Sequence, residues 1–113
     1  MQRFVAFIFL TATTTWAADP AGLEFFEKKI RPVLVSECYQ CHSKDEKVKG
    51  GLRLDWKGGW QEGGDSGAAI IPGQVGKSLL IQAIRYSDAE LEMPPKKRLT
   101  ADQVADFEKW VAM

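Results

Sequence analysis

The sequence of 113 residues predicts an all-α domain, three to four helices with one long glycine-rich loop between them, and three observations support it. Leu23, Phe26, Ile30 and Leu34 recur at helical spacing near the start, and Val104, Phe107, Trp110 and Val111 do so at the end. Nine of the ten glycines fall between Gly50 and Gly76, so the flexible chain is concentrated in one place. The run Cys38-Tyr39-Gln40-Cys41-His42 sits directly after the first helical pattern and reads C-x-x-C-H.

That run is the attachment signature of c-type haem. Two thiols three positions apart can each add to a haem vinyl group, which leaves the imidazole of His42 beside the iron as proximal ligand. A turn of helix puts positions three and four apart on one face, so Cys38, Cys41 and His42 can converge on one side of a flat macrocycle. Three plainer readings compete. A thioredoxin-type redox pair belongs in a strand–helix context, and no strand pattern precedes Cys38. A structural zinc site needs four ligands, so two cysteines and one histidine would require a carboxylate as well. A structural disulfide gives no reason for His42.

Residues 1–17 read as a cleaved secretory signal peptide. Arg3 supplies a small positive start, Phe4 to Leu10 is a continuous apolar run, and Thr15-Trp16-Ala17 offers a small-x-small cleavage site. The apolar part is shorter than the roughly 20 residues of a membrane span. The reading implies a periplasmic or otherwise exported protein with no stable membrane insertion after cleavage, the alternative being an uncleaved N-terminal anchor. It also puts the two cysteines in an oxidising compartment, where c-type cytochromes are assembled. Residues 18–113 then form one domain of 96 residues, with 14 Lys/Arg against 15 Asp/Glu. Near neutrality disfavours nucleic acid as a partner, since phosphate binding needs clustered positive charge. A core this small benefits from a staple, and a covalent haem would be one.

The elements follow in order. Asp19-Pro20 resembles a helix start, with Asp as N-cap and Pro at the first helical position. Pro32 removes a hydrogen bond to residue 28, so it should kink this helix or open a second short one that runs into Cys38. After His42 comes a charged stretch, then the glycine-rich segment, which reads as a wrapping loop because glycine permits close backbone approach to a ligand. Within it Leu52, Leu54 and Trp56 alternate with Arg53 and Asp55, either as an extended piece facing the haem or as part of a hairpin turning at Gly58-Gly59. Gly76-Lys77-Ser78 is not a P-loop, since the first glycine of that motif would fall on Ile71. Ser78 instead caps a short helix carrying Leu79, Leu80, Ala83, Ile84 and Tyr86, which should end near Ser87-Asp88. Thr100-Ala101-Asp102-Gln103 is a capping box that opens the last helix, whose apolar face needs the first helix as its partner. The chain stops at Met113 without a glycine or other helix stop, which favours a fragment of something longer.

His42 is the only histidine, so a bis-histidine haem cannot form within the chain. Methionine is the other common axial ligand. Met1 leaves with the signal and Met113 is terminal, so Met93 remains, stiffened by Pro94 and Pro95. Thioether sulfur favours Fe(II), and two filled axial positions leave no entry for a substrate, so the expected role is one-electron transfer and not enzymatic catalysis. Lys96, Lys97 and Arg98 either steer an acidic redox partner or form a solvated basic loop. Arg53, Trp56 and Trp60 are candidates for the haem propionates, with packing as the plainer role of the tryptophans.

Beyond the haem motif, several blocks occur in order: Ile30-Arg31-Pro32-Val33-Leu34, Lys49 to Asp55, Gly63-Gly64-Asp65-Ser66-Gly67, Ile71-Pro72-Gly73, Ser78 to Ile81, Ile84-Arg85-Tyr86 and Met93-Pro94-Pro95. Together they resemble the planctomycete-type cytochrome c domain over residues 24–112. The resemblance implies a class I-like, all-α cytochrome c fold around one covalent haem c. It also implies Cys38 and Cys41 as attachment sites, His42 as proximal ligand and Met93 as distal ligand. Domains similar to this one commonly head multidomain proteins, so the redox partner is either a separate protein or an appended domain. Two rival functions stand beside the electron carrier. One is a haem sensor or peroxidase-like domain with an open distal site, and the other is a haem-free module closed by a Cys38–Cys41 disulfide or a metal.

Overall fold

The structure is a computed structural model that describes residues 2, 5, 6, 8 and 20–113. The leader expected over residues 1–17 and the Asp19 cap therefore lie, for the most part, outside the described residues. Four helices form the frame. The first, α1, covers residues 20–38, and the others are α2 (Lys57–Glu62), α3 (Leu79–Ile84) and α4 (Ala101–Ala112). Single 3₁₀ turns occur at Lys49–Gly51 and Val75–Lys77. Among the described residues β pairing is confined to isolated bridges, so the domain is helical.

Pro32 neither breaks α1 nor divides it. The helix passes from α geometry (Pro20–Phe25) into a π stretch (Phe26–Ile30), back to α (Arg31–Val33) and into a second π stretch (Leu34–Cys38). The backbone stays right-handed helical at every junction. A proline cannot donate to the carbonyl four residues earlier, and the wider turns on either side absorb that defect: the Arg31 amide bonds Phe26 and the Tyr39 amide bonds Leu34, each five residues back.

Ile30 and Leu34 of the first stripe are fully buried beside Ile81, Ile84 and Phe107. As expected, the final helix packs on the first. The Phe26 and Trp110 rings lie 5.2 Å apart, and Trp60 meets the same indole edge-on at 5.2 Å. Lys109 lies over the Phe25 ring, so the contact is near the end of α4. Leu23, one turn earlier in the stripe, is 53% exposed, so the buried part of the stripe begins after it. The Thr100–Gln103 capping box is present, each side chain bonded to the other's backbone amide.

The glycine-rich segment corrects two further expectations. The alternative of a hairpin at Gly58-Gly59 gives way to α2, because Gly59 is buried under the Arg53 carbonyl and the Trp56 ring covers both glycines. Any side chain there would strike backbone or indole. Ser78 stands at the N-terminus of α3 but makes no side-chain cap. Its Oγ instead accepts from the Ile71 amide at 2.9 Å and donates to the Gln74 carbonyl at 2.9 Å. The Leu80 amide is satisfied by the Ala69 carbonyl at 2.9 Å, so the cap comes from the preceding loop.

The candidate haem-binding site

The first helix delivers Cys38 at its last turn. The helical winding continues just far enough to carry the motif, since the Cys41 and His42 amides bond the Cys38 carbonyl at 3.2 and 3.1 Å. All three side chains line one cavity, of about 340 Å³. Leu52, Leu54, Ala69, Leu80, Ala83, Ile84 and Leu91 form its apolar wall, and Met93, Pro94 and Pro95 line it as well. Lys49, Asp65 and Ser66 stand at the polar edge. A volume of this size with a mainly apolar lining is typical of a cofactor site, about 300–1,000 Å³.

His42 is oriented by the chain that follows it. Its Nδ1 lies 3.2 Å from the Leu52 carbonyl oxygen. A carbonyl can only accept, so Nδ1 carries the proton and the Nε2 lone pair is left for a metal. The His42 carbonyl accepts from Leu54 and the Cys41 carbonyl from Lys49, both at 2.8 Å, which seats the motif on the loop. The loop is closed in turn by Asp55, which takes a bidentate Arg53 contact at 3.0 Å and the Lys44 amide at 3.2 Å. Arg53 hydrogen bonding, opposed by burial and aided by the Lys44 amide, holds the Asp55 carboxyl below the usual aspartate value. The Leu52 carbonyl that accepts from His42 has no signature in the sequence.

The glycines earn their place by backbone contact. The Asp65 amide bonds the Gly50 carbonyl at 2.8 Å, and a Cβ on Gly64 would run into that same carbonyl. Gly63 sits at φ 76°, where a Cβ would strike the Gly67 carbonyl. Gly50, Gly64 and Gly67 all line the cavity.

The three candidates for the haem propionates do not line the cavity. Arg53 pairs with Asp55 and stacks over the Trp56 ring at 5.5 Å, and Trp60 packs on Trp110; none of Arg53, Trp56 and Trp60 lines the cavity. The strand-like face expected of Leu52, Leu54 and Trp56 therefore contributes its two leucines only, and Trp56 is 52% exposed.

The donor set fits haem c. Two thiols, an imidazole with Nε2 free and a thioether share one apolar cavity, which is the set covalent haem takes with His/Met ligation. The thiols are free. Burial pushes the Cys38 thiol up to about 12, with the Glu37 charge adding to it, the opposite of the lowered value that a redox-active C-x-x-C requires. Among the described residues no three His, Cys, Asp or Glu side chains converge as a metal set, so the zinc alternative lacks its ligands. A second, more open depression between Arg85, Arg98, Val104 and Glu108 holds no thiol, imidazole or thioether.

A family model described as planctomycete cytochrome C matches residues 38–97. The chain belongs to that family. The match opens on Cys38 and extends past Met93, so it spans every lining residue of the cavity except Glu37. Haem-based electron transfer is accordingly the coarse function of this cytochrome domain. No curated protein and no solved structure matches the chain.

Proposed function

We propose that this chain is an exported monohaem c-type cytochrome that carries single electrons, free-standing or as the N-terminal module of a larger protein. The observation that supports it most is that Cys38, Cys41, His42 and Met93 line the same apolar cavity. In this reading haem, when bound, supplies the one-electron iron couple. Cys38 and Cys41 hold it by thioethers. His42, its tautomer fixed by the Leu52 carbonyl, would offer Nε2 to the iron, and Met93 would offer its sulfur. A soft sulfur ligand raises the potential, and the apolar wall excludes water. With both axial positions filled by the chain, the protein is a carrier and not an enzyme. Its partner is a redox protein or an appended redox domain, and Lys96 and Lys97, exposed beside Pro95, are placed to meet an acidic surface. Export rests on the leader pattern of residues 1–17, and no helix among the described residues is long and apolar enough to cross a membrane.

The test is the visible spectrum of the mature protein, produced in a periplasm with c-type assembly machinery. The expected result is a low-spin c-type spectrum with a weak far-red sulfur-to-iron band that is lost in Met93→Ala. The rival is a haem sensor or peroxidase-like domain with an open distal site. A high-spin ferric spectrum would select that reading, and a protein without haem absorbance would refute both.

A further inference from the structure

Tyr86 occupies a position that its own backbone does not favour. It follows the last residue of α3 and its cap, Arg85, the place where helices commonly end on a left-handed glycine. Its φ of 57° makes it the one non-glycine residue with positive φ among the described residues. A side chain there is disfavoured and needs surroundings that hold it.

The surroundings all lead to the Met93 loop. The Tyr86 hydroxyl donates to the Pro94 carbonyl. The Met93 amide donates to the Ala83 carbonyl at 3.1 Å, the same carbonyl that accepts from the Tyr86 amide at 3.3 Å. These two bonds bracket Met93, one on its own amide and one on the carbonyl of the next residue. Arg98 locks the ring from outside, with its guanidinium 5.5 Å over the Tyr86 ring centroid and Nη2 donating to the Arg85 carbonyl at 3.3 Å. Glycine at position 86 would suit the backbone but would leave the Pro94 carbonyl without its donor.

We propose that Tyr86 is a positioning residue for the distal ligand: its hydroxyl latches the Pro94 carbonyl and thereby keeps the Met93 sulfur in the cavity. The inference rests on the reading of Met93 as axial ligand, and the experiment separates the two. An external ligand such as imidazole reaches ferric iron only when Met93 has left, so its apparent affinity scales with the Met93-off fraction. Tyr86→Phe keeps the ring and the Arg98 contact and deletes the hydroxyl alone. In the mature ferric holoprotein it should bind imidazole roughly three- to tenfold more tightly than wild type, the effect of one lost hydrogen bond on that fraction. Met93→Ala should lose the far-red band and bind imidazole more tightly still. If Met93→Ala behaves so while Tyr86→Phe matches wild type within about twofold, the latch is refuted and Met93 ligation stands. If Met93→Ala leaves both the band and the imidazole affinity unchanged, Met93 is not the ligand and the latch falls with it. Guanidinium unfolding of Tyr86→Phe, run alongside, separates a latch from general loosening: a gain in affinity with an unchanged midpoint supports the latch, and a gain only in proportion to lost global stability overturns it.

Discussion

Ser78→Ala should cost stability at one identifiable amide. Ser78 is fully buried, and its Oγ accepts from the Ile71 amide while donating to Gln74. The two ends of that interaction are not equal. The Gln74 carbonyl also accepts from the Ser78 amide at 3.1 Å and the Lys77 amide at 3.3 Å, so it stays satisfied when the hydroxyl goes. The Ile71 amide has no other acceptor within its turn, and leaving this part-buried donor unmade costs about 1 kcal/mol, the low end of the range for a buried one. For a domain of this size that is a fall in melting temperature of about 4–8 °C per kcal/mol. The assay is urea unfolding of the holoprotein combined with amide hydrogen exchange. Ile71 should lose protection selectively, while Leu80, bonded to Ala69, should change only with global stability. Selective loss at Leu80 would mean that Ser78 is the helix cap the sequence suggested, and a stability change below about 0.5 kcal/mol would mean that the hydroxyl is dispensable.

Two further outcomes follow from the same geometry. Gly63→Ala should cost at least about 2 kcal/mol, since it forces a side chain into positive φ and against the Gly67 carbonyl; Gly76→Ala, with open space around it, should be neutral or slightly stabilising by comparison, and equal effects in thermal melts would refute the steric argument. The lowered Asp55 value predicts an acid-labile contribution: it is present above the unfolded aspartate value of about 3.9 and is lost as pH falls through the lower folded one. Wild type should therefore exceed Asp55→Asn in stability near neutrality and converge on it below about pH 4, and parallel curves in urea unfolding from pH 3 to 7 would show that Asp55 does not contribute.

The sequence made the C-x-x-C-H part of the candidate site legible because its spacing is local. Cys38, Cys41 and His42 need one helical turn, and that turn is present. Met93 was reached by elimination and does line the cavity, and the capping box and apolar face of α4 followed from residue types alone. What stayed hidden depends on contacts between distant parts of the chain. The helix through Gly58-Gly59 runs against local propensity and exists because the Arg53 carbonyl and the Trp56 ring need a surface without side chains. Ser78 looked like a cap by position, yet Ala69 supplies that bond. The Leu52 carbonyl that orients His42 is a backbone atom, and every residue has one.

The two sides of the cavity differ in how the chain reaches them. The imidazole and the carbonyl that fixes it are ten residues apart, whereas Met93 lies 51 residues beyond His42. Closing the longer loop costs about 1.4 kcal/mol more in chain entropy, taking 1.5RT times the logarithm of the length ratio. The His42 side is thus a low-contact-order unit that can organise as soon as residues 38–54 are available, and the Met93 side must wait for the segment that follows α3. By the same reasoning the Met93 side should open before the Cys38–His42 side.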